Sequence, residues 1–380
     1  MEDRPDDTDG GHARSALPFF LIYLVSGLGF ALALRGGYYT FVAPLAMTFV
    51  AVPLFDALIG RDTRNPSDAS PGRLARALFR LATWIAVPSQ AALLAWGLWF
   101  ATRPEALPVE IVGALLAVGI TGGVIGITVA HELVHRSSRL DRALGAVLLA
   151  MVSYLHWAIE HVAGHHRRVA TPEDPATARF GEILPAFMVR SVVRGFQSAW
   201  QIEAARNARR GLRAPWRNGV LQGVVVSGAL AAAIGLLAGP RAMAFFLGQS
   251  AVAIGFLETV NYIEHYGLRR RLISPGVYER VTTHHSWNSA HWLTNALLFN
   301  LQRHSDHHVW PARPYHKLRH RPESPQLPTG YAGMALLAMV PPLWRRVMHP
   351  RLAALGPPED RPAREDDRAP PASAPRSPGA

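Results

Sequence analysis

Long apolar stretches alternate with short polar connections through most of the chain. Six of these stretches approach the roughly 20 residues that a helix needs to cross a bilayer. They cover residues 16–34, 36–55, 81–102, 111–130, 219–239 and 242–262. The pattern predicts an all-α integral membrane protein with six transmembrane helices, arranged as three hairpins.

Two further apolar stretches are shorter and less regular. Residues 143–159 contain His156, and residues 331–343 contain Pro341 and Pro342. Runs of this length more often lie at the membrane interface or re-enter than span. We therefore expect neither to cross the membrane.

The distribution of arginine predicts the orientation of the six helices. Arginine supplies nearly all of the basic residues, because Lys317 is the single lysine, and the net charge is +12. The short loops on one side hold one arginine each, namely Arg35, Arg103 and Arg241, whereas the loops on the other side hold many. By the positive-inside rule both termini face the cytoplasm of a multi-pass inner-membrane protein. The basic excess is thus attributed to topology and not to nucleic-acid binding.

The composition agrees with a membrane protein. Only 17% of the residues are charged, against about 25% in soluble domains. Residues 1–15 form a polar segment without the basic start of a secretory signal. Residues 16–350 are predicted to form the membrane domain, and residues 351–380, rich in Pro, Ala and Arg, a disordered tail.

Histidine is abundant, with 17 residues, and nine of them fall into four motifs beside the apolar stretches. Spacings of three and four residues place imidazoles on one helix face, where they can reach a common metal. The nine are His131, His135, His161, His165, His166, His265, His304, His307 and His308.

The number of histidines argues for more than one metal ion. His131, Glu132 and His135 alone match the H-E-x-x-H pattern of zinc proteases, but that reading leaves the other motifs unexplained. A metal transporter would need polar ligands inside the spans, which are nearly free of them. Nine imidazoles exceed a zinc site of three or four ligands and suit two metals, while imidazole alone does not select the element.

Topology constrains this shared site. If residues 143–159 crossed the bilayer, the first two motifs would lie about 30 Å apart on opposite faces. A common metal site therefore requires this segment to re-enter or to lie flat.

Several motifs together resemble the membrane-bound alkane 1-monooxygenases. They are HELVHR (131–136), EHVAGHHRRVATPEDPA (160–176), NYIEHYGL (261–268), HHSWNS (284–289) and LQRHSDHH (301–308), with PLFDALIG (53–60) and LPTGY (327–331). The resemblance extends from the first span to about Pro350. The wider superfamily of membrane desaturases and hydroxylases shares only the three histidine boxes.

The resemblance implies a six-helix membrane fold with a cytoplasmic cap that holds two non-haem iron ions on the nine histidines. It implies hydroxylation of the terminal methyl of n-alkanes with O₂. It also implies electrons from a rubredoxin that an NAD(P)H-dependent reductase reduces. The chain contains no cysteine, so the cysteine-bound iron of a rubredoxin is expected on a separate protein.

Other residues receive secondary roles. Five carboxylates are candidates to accept the distal N–H of a ligating imidazole: Glu132, Glu160, Asp174, Glu264 and Asp306. Thr48, in the second span, is expected to line the substrate channel near the alkane chain end. His284 and His285 are expected to be structural or partner contacts and not ligands, and His291 is expected not to be a ligand.

A related membrane hydroxylase or desaturase, acting on fatty acyl chains or aromatic methyl groups, remains the main alternative. The NYIEHYGL segment favours the alkane enzymes. Val134 stands where relatives often have glycine, and residues 269–283 differ locally, so the substrate range is open.

Overall fold

The computed structural model describes residues 9–212 and 214–357. Within these residues six helices are long and apolar enough to cross a membrane, which confirms the predicted number. We call them spans 1 to 6. They are Ala13–Ala33, Tyr38–Ile59, Arg73–Thr102, Pro108–Val134, Gly219–Ala238 and Pro240–His265.

Most spans extend beyond the predicted apolar stretches. Span 3 begins at Arg73, eight residues earlier than expected, because an amphipathic helical segment precedes its apolar part. Span 4 continues to Val134 and span 6 to His265, so both helices carry polar residues past the apolar stretch. These polar ends are buried in the protein, where they meet one another and not lipid.

Residues 143–159 do not form a continuous helix. Helix Arg139–Ala150 ends in a tight turn in which Ser153 has a φ of 55°. A second short helix starts at Trp157 and continues through a π turn, His161–His165, to Arg168. Neither piece is long enough to span, as the sequence led us to expect.

The remaining cap elements follow spans 4 and 6. The longest is helix Leu184–Arg209, which we call the long cap helix. The other helices and 3₁₀ turns are Pro215–Arg217, Thr283–His285, Trp292–Leu297, His304–Val309, Tyr315–Lys317, Tyr331–Ala338 and Pro341–Ala354. Strands Leu272–Ser274 and Val277–Tyr278 pair antiparallel.

Near the C-terminus, residues 331–343 divide between two helices and do not span. Helix Pro341–Ala354 continues four residues beyond residue 350, into the segment predicted to be disordered. Trp344 and Met348 are fully buried and hold this helix on the cap. The rest of the predicted tail, from residue 358, lies outside the described residues.

Span 4 packs closely on two neighbours through glycine. A Cβ atom at Gly113 would lie 2.6 Å from the backbone of Phe41 in span 2, and one at Gly119 would lie 2.6 Å from Val252 in span 6. Small residues allow helix axes to approach inside a membrane. This packing brings the polar ends of spans 4 and 6 side by side.

A buried carboxylate anchors the cap to span 2. Asp56 accepts hydrogen bonds from the backbone N–H of Thr294, at 2.9 Å, and from its hydroxyl, at 2.8 Å. A Cβ atom at Gly330 would collide with both Asp56 and Thr294. The segments PLFDALIG and LPTGY therefore meet at one contact.

We expect Gly330→Ala to lower the free energy of unfolding by about 1–3 kcal/mol, because the added methyl group overpacks this contact. Thermal denaturation of the detergent-solubilised protein measures the change. Gly228→Ala is the control, since a Cβ at Gly228 meets nothing within 4 Å. Equal melting temperatures for both variants would contradict the proposed anchor.

Candidate metal centre

The nine histidines selected from the sequence come together at one end of the membrane domain. His131 and His135 lie at the end of span 4, and His265 is the last residue of span 6. The second motif lies on the short helix after Trp157, and the third on helix His304–Val309. Four separate segments thus supply the imidazoles.

The imidazoles form two groups. In each group one nitrogen from every ring lies within 4.8 Å of the others. Site 1 contains five residues: His131, His135, His161, His166 and His307. Site 2 contains four residues: His165, His265, His304 and His308.

Neighbouring Nε2 atoms in site 1 are spaced as ligands of a common ion. The Nε2 of His161 lies 3.0 Å from that of His135 and 3.1 Å from that of His166. Two imidazole nitrogens, each about 2.1 Å from a metal, lie about 3.0 Å apart at a right angle and about 3.4 Å apart at a tetrahedral angle. The observed spacing and the five rings favour a coordination number above that of structural zinc.

Site 2 has the same spacing. The Nε2 of His308 lies 3.0 Å from that of His304 and 3.2 Å from that of His165, and His304 lies 3.1 Å from His265. The Nε2 atoms of His166 and His307, both of site 1, are 3.2 Å apart. Rings of His166 and His308 approach to 4.5 Å between centroids across the two sites. The two sites are therefore adjacent.

Burial keeps most of these imidazoles neutral; His165 differs, because the neighbouring Asp174 outweighs burial and raises its pKa. Desolvation, followed by repulsion from neighbouring rings, lowers the pKa of His135 to about 4. The same causes hold the pKa values of His161, His166, His304, His307 and His308 well below their usual range. A neutral ring offers the free electron pair that a metal needs.

Asp174 fixes the orientation of one ring. Its Oδ2 lies 2.9 Å from Nδ1 of His165 and accepts a hydrogen bond from the Thr177 hydroxyl at 2.6 Å. Burial alone would raise the pKa of Asp174, but His165 and Thr177 outweigh burial and lower it. Nδ1 of His165 therefore keeps its proton, and Nε2 faces the metal site.

The other four predicted carboxylates have different contacts. Glu132 pairs with Arg136 and accepts the Tyr315 backbone N–H; Glu160 pairs with Arg168. Asp306 accepts from Arg313 and Arg321.

Glu264 approaches Nε2 of His304, on the metal side of the ring, at 3.2 Å and accepts from the Tyr331 hydroxyl at 3.0 Å. Of the five, only Asp174 holds a distal imidazole nitrogen among the described residues.

One of the buried nitrogen atoms without a partner in the described part of the chain, Nε2 of His131, supports a metal site. Nε2 of His131 has no hydrogen-bond partner among the described residues, nor does Nδ1 of His166, His304 or His308. An unpaired buried polar atom is costly. A metal ion bound to these rings would satisfy the free nitrogen of His131 and offset part of this cost.

The three histidines predicted not to be ligands lie outside both groups. His285 contacts Glu279 at 3.2 Å and accepts the Thr282 N–H. His291 pairs with the Ser289 hydroxyl at 2.8 Å. His284 lies in the turn Thr283–His285, away from the groups.

An apolar cavity runs between the spans towards the metal centre. Its lining includes Ile22, Phe49 and Phe256, and Thr48 lies in its wall. None of the described lining residues is charged.

A smaller cavity continues it. The two share Gly123, Thr128 and Val260, and the second reaches His131, His161, His304 and Glu264. A path for an apolar chain thus ends at both sites.

Sequence reasoning missed the contact of Tyr331 with Glu264 and the buried carboxylate of Glu258 in span 6. The first depends on a fold that joins distant segments. A carboxylate inside a membrane span is a signal of function by itself, and it would have identified Glu258.

The family model for fatty acid desaturases matches residues 105–338. The chain is 45% identical to alkane 1-monooxygenase 2 of Pseudomonas aeruginosa, over 82% of this chain and 83% of the relative. It is 40% identical to alkane 1-monooxygenase of Ectopseudomonas oleovorans, over 89% of this chain and 82% of the relative. It is 28% identical to a xylene/toluene monooxygenase hydroxylase component of Pseudomonas putida, over 86% of both chains.

We expect the metal-free protein to lose stability as the pH falls from about 6.5 towards about 4. Over this range the unfolded chain takes up protons on imidazoles that stay neutral when folded, as the lowered pKa of His135 illustrates. Thermal denaturation of chelator-treated protein at several pH values tests this. An unchanged melting temperature between pH 7 and pH 5 would contradict it.

Proposed function

The chain belongs to the alkane 1-monooxygenases within the fatty acid desaturase family, and from this premise we propose that it hydroxylates the terminal methyl group of medium- to long-chain n-alkanes. The product is a 1-alkanol. The observation that carries this proposal is the uncharged cavity between the spans that ends at the clustered imidazoles.

The apolar cavity selects the substrate by shape. An n-alkane has no polar group to recognise and partitions into the bilayer, so a cavity within the membrane domain both admits and aligns it. The smaller cavity then directs the chain end to His131, His161 and His304. Discrimination per methylene is expected to be modest, as in any apolar pocket.

We propose that the metal ions are two irons, one held by the five imidazoles of site 1 and one by the four of site 2. Iron bound there would supply the activation of O₂ that breaks an unactivated C–H bond, which no side chain achieves. The protein's own residues orient the rings, chiefly through Asp174, and exclude bulk water by burying both sites.

Electrons are proposed to come from a separate rubredoxin, reduced by an NAD(P)H-dependent reductase. These 380 residues hold no cysteine for a rubredoxin iron. Arginines lie in and after the first two histidine motifs, among them Arg139, Arg142 and Arg167, where they would attract an acidic partner. We also propose that the histidine end faces the cytoplasm and that the protein lies in the inner membrane, because arginine is concentrated at that end.

The purified protein is expected to contain about two irons per chain, one per imidazole group. It should convert n-octane or n-hexadecane to the 1-alkanol when rubredoxin, reductase, NADH and O₂ are supplied. Elemental analysis and product chromatography measure both. One zinc per chain, or iron without alkane turnover, would overturn the proposal.

His265→Ala is expected to reduce the metal content and abolish turnover, because it removes one of four imidazoles from site 2. Insertion into the membrane should persist. His320→Ala is the control, since His320 lies outside both groups. Full activity of the His265 variant would remove this residue from the ligand set.

Thr48→Trp is expected to shorten the preferred alkane, because the added bulk fills part of the cavity that Thr48 lines. Product profiles from a mixture of alkanes measure the shift. Val50→Trp places the same bulk on the exposed side of span 2 and should leave the profile unchanged. Identical profiles for both variants would show that Thr48 does not border the alkane.

A further inference from the structure

A carboxylate is buried inside span 6, away from both imidazole groups. Glu258 is 2% exposed. The Tyr154 hydroxyl donates to its Oε1 at 3.1 Å, and the Asn261 carboxamide donates to its Oε2 at 3.3 Å. Among the described residues no arginine, lysine or histidine forms an ion pair with it. An ionisable side chain in a span is costly, and such residues mark ion or proton paths.

Glu258 borders a small polar cavity beneath the long cap helix. The other polar walls are Tyr154, His156, Glu160, Ser191 and Asn261. Its volume of about 10 Å³ is near the smallest that holds one ordered water.

This cavity approaches the surface at its outer side. Glu160 accepts hydrogen bonds from Ser198, at 3.2 Å, and from Arg168, at 2.9 Å, and the side chain of Arg168 is 31% exposed. Gly195 of the long cap helix, in the same wall, is half-buried. Solvent at the histidine end thus lies one layer of side chains from the cavity.

On its inner side the polar cavity shares a wall with the cavity at the metal centre. Trp157 and Asn261 line both. The inner cavity is larger, about 30 Å³, and touches His131, His161, His304 and Glu264. Asn261 donates a hydrogen bond to Glu258 and also lines the inner cavity. One side chain, that of Asn261, therefore lies between Glu258 and the cavity at the metal centre.

Hydroxylation needs this kind of connection. One alkane, one O₂, two electrons and two protons yield one alcohol and one water. The described lining of the alkane cavity contains no carboxyl, imidazole or basic group that would conduct protons. A one-electron carrier protein brings the electrons, so the protons must come from solvent by another route.

We propose that Glu258 carries protons from solvent at the histidine end to the metal centre, through a wall of the inner cavity different from the one that the alkane cavity shares. A proton leaves water in the outer cavity and binds a carboxylate oxygen of Glu258. It is then released to water in the inner cavity and ends in the water produced. Tyr154 and Asn261 hold the carboxylate at the shared wall.

This inference rests on the proposed function, and the test separates the two. Glu258→Gln keeps the shape and removes the proton-carrying group. We expect kcat to fall about 100-fold, the lower end of the usual contribution of an acid–base group, while KM for the alkane and the metal content stay unchanged. The solvent isotope effect should increase, and more of the consumed O₂ should appear as peroxide.

Glu203→Gln is the matched control. Glu203 is equally a buried carboxylate, but it pairs with Arg206 away from both cavities. It should show none of these changes. Glu258→Asp retains a carboxyl group and should recover part of the lost turnover, and it serves as the test variant if the glutamine variant does not fold.

A readout independent of turnover is the infrared spectrum of the purified protein. A carboxyl band that shifts promptly in D₂O and is missing from Glu258→Gln is the expected result. A carboxyl band of Glu258 that does not shift in D₂O would overturn the relay. So would a Glu258→Gln variant with wild-type kcat and with wild-type coupling of O₂ consumption to alcohol formation. Equal loss of metal and activity in the Gln and Asp variants would also overturn it, because that pattern indicates a structural role.

Absence of alkane turnover in the wild type would instead refute the proposed function, and the D₂O exchange would still report on the relay.

Discussion

Everything in this structure depends on holding nine imidazoles, most of them uncharged, in two adjacent groups. Their Nε2 atoms approach to 3.0–3.2 Å, and burial depresses the pKa values of most of these rings. Protonated rings at these distances would repel one another strongly. The glycine contacts of span 4, the Asp56 anchor and the Asp174 hydrogen bond all serve this one arrangement.

The spans and the histidines could be predicted from sequence because each follows a short local rule. Apolar length identifies the spans, and spacings of three or four identify the imidazoles that share a helix face. The division of the nine imidazoles into a group of five and a group of four could not be predicted. His165 and His166 are adjacent in the chain yet belong to different sites. The π turn His161–His165 has i→i+5 geometry, so His161 shares site 1 with His166 and not with His165, and no residue pattern announces it.

The carboxylates show a second limit of sequence reasoning. Five acidic residues stand beside the histidine motifs, but proximity in the chain does not reveal the partner. Asp174 meets an imidazole, whereas Glu132, Glu160 and Asp306 meet arginines. The partner arginines neutralise three carboxylates, whereas the remaining two, Asp174 and Glu264, contact His165 and His304 of site 2.

The wide separation of the imidazoles along the chain has a consequence for biogenesis. The last three of the nine histidines, His304, His307 and His308, follow all six spans along the chain. Neither site can therefore be complete while the spans are entering the membrane, and metal loading must follow insertion. Since ligand binding stabilises only the assembled state, the supply of metal would decide how much of the inserted protein matures, and not how much is inserted.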